Sequence, residues 1–142
     1  MLLELGRRRI LILKTAKNEI VERCFEENKN DKIVCLIQSS VIGDFRKRYN
    51  NVEFIDIKRE SFNELPEEIY EYFKRENFDK VLIPLSGKFA HNYGNVIYVV
   101  SKIRFKEAFF FYKDGITTRI PRNGVIVDAF LLFAFKILYK IL

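Results

Sequence analysis

Short apolar runs recur along this chain at spacings that leave room for one helix between each pair. They are residues 9–14 (RILILK), 32–38 (KIVCLIQ), 52–57 (VEFIDI), 80–85 (KVLIPL) and 108–112 (AFFFY). Runs of this length without polar alternation suit strands buried on both faces. The stretches between them carry helical spacing. Ile20, Val21, Cys24 and Phe25 share one face of residues 15–28, with Glu22, Arg23, Glu26 and Glu27 opposite. Residues 39–49 read as a short helix with Ser39 or Ser40 as N-cap. Residues 61–76 carry the stripe Leu65, Ile69, Tyr72 and Phe73, with acidic residues towards the start. Residues 91–104 place Tyr93, Val96, Ile97, Val100 and Ile103 at helical spacing, against a β-branched content that favours strand.

Alternating strands and helices at this pitch predict an α/β fold. The expectation is a three-layer α/β/α domain, Rossmann-like or flavodoxin-like and doubly wound, with a five-stranded parallel sheet in the order 3-2-1-4-5. At 142 residues the chain has the length of one domain. With 49% hydrophobic and 31% charged residues it is globular rather than disordered. The net charge of +6 permits an acidic partner without requiring one. Basic residues are interleaved with acids and no nucleic-acid motif is present, which disfavours nucleic acid as a partner.

Residues 125–142 (VIVDAFLLFAFKILYKIL) differ in character. As a helix, Asp128, Lys136 and Lys140 fall within roughly a third of the circumference and the remainder is apolar. A bilayer span needs about 20 mostly apolar residues, and these charges count against one. Three roles fit: a last helix covering the sheet, a helix docking on a partner or a second copy, and an interfacial membrane helix. No signal peptide is read at the start, where the apolar run is better used as a strand. The expected location is cytoplasmic, with a peripheral place on the inner membrane face left open.

Cys24 and Cys35 have ten residues between them, and His91 is the only histidine. That is a poor metal set, and two buried thiols in a reducing compartment are expected. The first βα turn, residues 14–19 (KTAKNE), holds no glycine. This argues against a dinucleotide or flavin-phosphate site, and no cofactor is expected. Ser86-Gly87-Lys88 lacks the first glycine of a P-loop and has Phe89 where a magnesium-binding hydroxyl belongs.

In a parallel sheet ligands bind beyond the carboxyl ends of the strands, at the switch point. The loops after strands one and four then bring Asn18 and Glu19 opposite Ser86, Lys88, His91 and Asn92. A carboxylate facing a histidine or lysine suits general acid–base work. Each residue also has an ordinary structural reading: Glu19 as a first-turn helix acid, His91 as a hydrogen-bonded loop residue, Lys88 as a solvated charge.

The layout of residues 7–120 resembles the N-terminal, acceptor-side domain of GT-B glycosyltransferases, nearest the heptosyltransferase-like family 9. The segment carrying most of the likeness is ENFDKVLIPLSG, through Phe78-Asp79 and Leu85-Ser86-Gly87, followed by an apolar helix from Asn95 and a strand ending in Tyr112. The resemblance implies an acceptor site with Glu19 and His91 as catalytic candidates. Asn18, Ser39, Ser40, Ser86, Gly87, Lys88 and Asn92 are then substrate-binding candidates. The family keeps its catalytic acid in a first loop like SSxGD; here Glu19 is the only acid in that loop. Ser40-Val41-Ile42-Gly43-Asp44 looks like the signature but follows the second strand. No sugar-nucleotide domain is read in this sequence, so the implied function is a GT-B-like glycosyltransferase N-terminal domain or an acceptor subunit in cell-surface glycan synthesis, not catalytic alone. Its partner would be a sugar-nucleotide-binding subunit, with a homo-oligomer through the C-terminal helix or a membrane surface as further partners. A second resemblance is to response-regulator receivers, with Asp56, Ser86 and Lys113 at the ends of strands three, four and five. Leu13-Lys14-Thr15 lacks the acidic pair that holds magnesium in those domains, leaving a pseudo-receiver interaction module as the alternative.

Overall fold

A computed structural model describes residues 7–62, 65–86 and 94–121. These residues form a mixed six-stranded sheet with helices on both faces, an α/β, Rossmann-like architecture. The order along the chain is β1 (Arg9–Leu13), α1 (Asn18–Glu27), β2 (Lys32–Ile37), α2 (Ser39–Arg48), β3 (Val52–Asp56), α3 (Glu67–Arg75), β4 (Asn77–Leu85), α4 (Gly94–Val100), β5 (Arg104–Tyr112) and β6 (Thr117–Ile120). Across the sheet the strands run β3-β2-β1-β4-β5-β6. The pairs β2–β3, β1–β2, β1–β4 and β4–β5 are parallel, and β5–β6 is antiparallel.

Strand alternation divides the core in two. Leu11, Leu13, Val34, Leu36, Val81 and Ile83 join α3 through Ile69 and Phe73, and α4 through Val96 and Val100. Ile10, Ile12, Ile33, Cys35, Ile37 and Leu82 join α1 through Val21, Cys24 and Phe25, and α2 through Ile42 and Phe45. With both faces covered, the central strands need no polar alternation. Phe45 is fully buried and meets Phe25, Tyr49 and Phe54 at centroid distances of 6.0–6.1 Å. Burying a ring of this size stabilises by roughly 1.5–3 kcal/mol. At the end of α1 the buried Asn28 side chain donates to the Cys24 carbonyl at 2.8 Å, which occupies one of the acceptors a helix terminus leaves open.

Several sequence expectations are corrected. The expected all-parallel, five-stranded sheet is instead six-stranded and mixed. After β5 the chain turns back in a β-hairpin with β6: the Gly115 N–H donates to the Tyr112 carbonyl and the Tyr112 N–H to the Ile116 carbonyl. Gly115 has φ +86°, the left-handed conformation such a turn requires. The third helix starts at Glu67 rather than residue 61, because Pro66 sits at its N-cap and holds the preceding residue out of helical backbone. The helix expected over 91–104 is described only at Gly94–Val100, and the chain turns into β5 at Arg104, four residues before the expected strand. The N-cap of α2 is Gln38, neither Ser39 nor Ser40. The C-terminal stretch 125–142 lies outside the described residues. Among the described residues no helix is long and apolar enough to cross a membrane.

Candidate functional site

The carboxyl edge of the sheet is assembled from the ends of β1, β2, β3 and β4. Between β1 and β4 the strand order reverses, and the two following segments are tied together. The Thr15 hydroxyl donates to the Pro84 carbonyl at 2.8 Å. The Lys17 N–H donates to the Ser86 hydroxyl oxygen at 3.3 Å. These bonds set the first turn of α1, with Asn18 and Glu19 both exposed, beside Ser86. The bond holds Lys17, the residue before Asn18, against Ser86. Gly87, Lys88, His91 and Asn92 lie outside the described residues.

Pro84 explains part of this geometry. A proline inside a central strand removes a ladder donor. Here the β1–β4 ladder covers only Ile10–Ile12 against Lys80–Leu82, so Pro84 lies beyond it. The Thr15 side chain supplies the donor to the Pro84 carbonyl that a further β1 residue would otherwise have provided.

Lys14 and Gln38 join this edge and were not marked by the sequence, which counted both as strand ends. The Lys14 ammonium donates to the Ala16 carbonyl at 2.9 Å, and partial burial lowers its pKa from the ordinary lysine value. The Gln38 amide donates to the Lys14 carbonyl at 2.9 Å. Its Oε1 is buried with no hydrogen-bond partner among the described residues. A buried acceptor left open carries a cost that a bound donor removes. The available signal was position alone, since each polar residue directly follows an apolar run.

Ser39 and Ser40 are committed elsewhere. Ser39 donates to the Asp56 carboxylate at 2.6 Å and Ser40 to Glu60 at 2.9 Å. Asp56 also accepts the Lys58 N–H at 2.7 Å. The Ser39 hydroxyl first and the Lys58 N–H second hold its carboxyl below the usual range. Both serines thus brace the turn after β3 and stand away from the β1–β4 crevice. The strand order also separates Asp56 from Ser86, because β2 and β1 lie between β3 and β4. Three strand spacings amount to about 14 Å. The two side chains are not placed to share one phosphoryl group.

Cys24 and Cys35 are buried free thiols whose pKa values burial raises. Among the described residues no group of three His, Cys, Asp or Glu side chains is arranged to hold a metal ion.

No family model and no curated protein matches the chain. Among solved structures it is similar to one described as "Structure of an antibiotic related Methyltransferase", at 16% sequence identity and a TM-score of 0.48. That match covers 78% of this chain and 59% of the other, so the chain spans less than two thirds of that protein's length.

Proposed function

We propose that this chain is the acceptor-binding half of a glycosyltransferase-like pair, working at the carboxyl edge between β1 and β4. The observation that carries the reading is the Lys17–Ser86 hydrogen bond at 3.3 Å, which brings the exposed Glu19 turn to the switch point of the sheet. The resemblance of ENFDKVLIPLSG to acceptor-side domains supports it. In such a pair Glu19 takes the proton of an acceptor hydroxyl as that oxygen bonds to the anomeric carbon. The bond from that carbon to the nucleoside diphosphate breaks, and the partner domain holds the leaving group. The Lys14 ammonium, which donates to the Ala16 carbonyl, places a cation at the neighbouring strand end.

Amide NMR of the full chain, titrated with short oligosaccharides and monosaccharide phosphates, tests this reading. The expected result is saturable shifts at Thr15, Lys17, Glu19 and Ser86. No shift at these four amides with any sugar at millimolar concentration overturns it. A second reading, a non-enzymatic interaction module, is favoured by the bridging of the crevice at 2.8 Å between Thr15 and Pro84. It expects no sugar titration and no role for Glu19.

A further inference from the structure

At the opposite, amino edge of the sheet, β4 and β5 begin before β1 does. Asn77 and Phe78 pair with Arg104 and Phe105, whereas the β1–β4 ladder starts at Ile10 and Lys80. This overhang and Arg9 border a cavity of ≈ 590 Å³, within the range that takes small molecules. Its wall carries Arg9, Arg104, Lys106, Asp79 and the Asn77 amide beside the Phe78 ring.

The charges on this wall are not equally available. The Arg9 guanidinium pairs with Glu76, donates to the Tyr72 hydroxyl and the Asn77 carbonyl, and lies 4.7 Å from the Phe78 ring centroid. Asp79 accepts the Arg9 N–H at 2.8 Å and pairs with Lys106 at 3.1 Å. Arg9 and Asp79 are therefore largely committed to structural partners, although the buried Arg9 Nε has no hydrogen-bond partner among the described residues. Arg104 is exposed, and its side chain has no ion pair or hydrogen bond among the described residues. The Lys106 side chain is 79% exposed and among the described residues is held by its bond to Asp79, a surface pair of the weak kind. Arg7 and Arg8 stand at the same edge, donating to the Asn30 and Asp31 carbonyls and to the Asp31 carboxylate. The cavity wall thus carries three basic side chains, Arg9, Arg104 and Lys106, against Asp79, with Glu76 and Glu53 acting on Arg9.

We propose that this cavity binds a phosphate monoester or diphosphate group. Arg104 grips two of its oxygens side-on, Lys106 leaves Asp79 to add a second cation, and the Asn77 amide donates a further hydrogen bond. A planar guanidinium with no partner among the described residues matches tetrahedral oxyanions bidentately, and Lys106 is recruited by breaking a weak surface pair. The site is separate from the β1–β4 edge and does not rest on the glycosyltransferase-like reading. A soluble phosphorylated metabolite and an anionic lipid headgroup share this chemistry.

The test uses the full chain at low ionic strength in two arms: calorimetric titration with inorganic pyrophosphate, and co-sedimentation with phosphatidylcholine vesicles containing phosphatidic acid. Binding is expected in at least one arm, and the arm that responds identifies the source. Arg104→Ala weakens it at least about tenfold while leaving the melting temperature unchanged, since the side chain it removes has no partner among the described residues. Asp79→Asn, where it folds, tightens binding by freeing Lys106, an effect opposite in sign to that of a merely damaged fold. Glu19→Gln and Ser86→Ala bind pyrophosphate or vesicles as the parent does, which separates this site from the switch-point reading. Absence of binding in both arms up to about 10 mM, binding indifferent to Arg104→Ala, or weaker binding by a folded Asp79→Asn overturns the proposal.

Discussion

The Thr15 hydroxyl donates to the Pro84 carbonyl at 2.8 Å, and this bond continues the β1–β4 pairing past the point where the ladder has ended. Thr15→Val keeps the branched shape and removes only the donor. A partly buried carbonyl left without its partner costs about 1–2 kcal/mol. Urea unfolding of the variant should show a lower midpoint by that amount with an unchanged slope. An unchanged midpoint means that water replaces the hydroxyl and that the two loops are not mechanically joined.

Much of the layered architecture is legible because the physics is local. RILIL, KIVCLI and VLIPL are apolar without alternation, and Val21, Cys24 and Phe25 repeat at helical spacing, so strand and helix follow from periodicity alone. What escaped depends on partners distant in sequence or on single punctuating residues. Pro66 cuts a helix whose apolar stripe begins earlier, at Leu65. Thr117–Ile120 is too short to read as a strand until Gly115 folds it back onto β5. Lys14 and Gln38 look like strand ends, and only the parallel register of β1 with β2 brings them together. Of the candidate site, the turn that precedes Asn18 and Glu19 is tied to Ser86 through Lys17, because both segments flank one switch point. Ser39 and Ser40 do not join them, because nearer carboxylates take their hydroxyls.

The aromatic nest around Phe45 should be a principal source of stability on its face of the sheet. Phe45 is 0% exposed and in ring contact with Phe25, Tyr49 and Phe54. Phe45→Ala leaves a cavity that helix and sheet cannot close, at a cost of about 3–5 kcal/mol. Ile116→Ala, at a side chain 61% exposed, serves as the control and should lie within about 0.5 kcal/mol of the parent. Comparable losses at the two positions in denaturant melts contradict this packing.

Asp56 makes folding pH-dependent in a known direction. Its folded pKa lies below the unfolded value of about 3.9, through the Ser39 hydroxyl and then the Lys58 N–H. Its contribution is therefore fully present above the unfolded pKa and is lost as pH falls through the folded one. Between neutral pH and the unfolded value Asp56 adds no slope. Asp56→Asn should lower stability at pH 7 and flatten the acid limb of the stability curve. A parallel offset at every pH removes the ionisation from the explanation.

Among the described residues two positions take positive φ, and they should respond with opposite signs. Lys58 has φ 57° and pays the penalty of a side chain in left-handed backbone, while Gly115 at φ 86° does not. Lys58→Gly relieves this and gives up an exposed pair with Glu68 worth little, for a net gain of about 0.5 kcal/mol. Gly115→Ala forces an L-residue into the turn and brings its Cβ to 2.7 Å from the Arg23 guanidinium. That side chain can yield, so backbone strain dominates, at about 1 kcal/mol. Thermal melts of the two variants that move in the same direction contradict the turn geometry.

The thiols report on the whole fold. Cys24 and Cys35 are both 0% exposed in the same half of the core, packed between α1 and β2. Burial raises both pKa values, so little thiolate forms even where reagent reaches them. Neither lies at an end that frays, and the opening that exposes one removes the packing around the other. With a global stability of about 5 kcal/mol, labelling through that opening is on the order of a thousandfold slower than in the unfolded chain. Both thiols should react with a thiol reagent at one rate, and that rate should rise with urea as the unfolded population does. If Cys24 labels early and alone, α1 opens as a separate unit. The exposed turn of Asn18 and Glu19 would then move independently of Ser86, and the site between β1 and β4 would lose one wall before the domain unfolds.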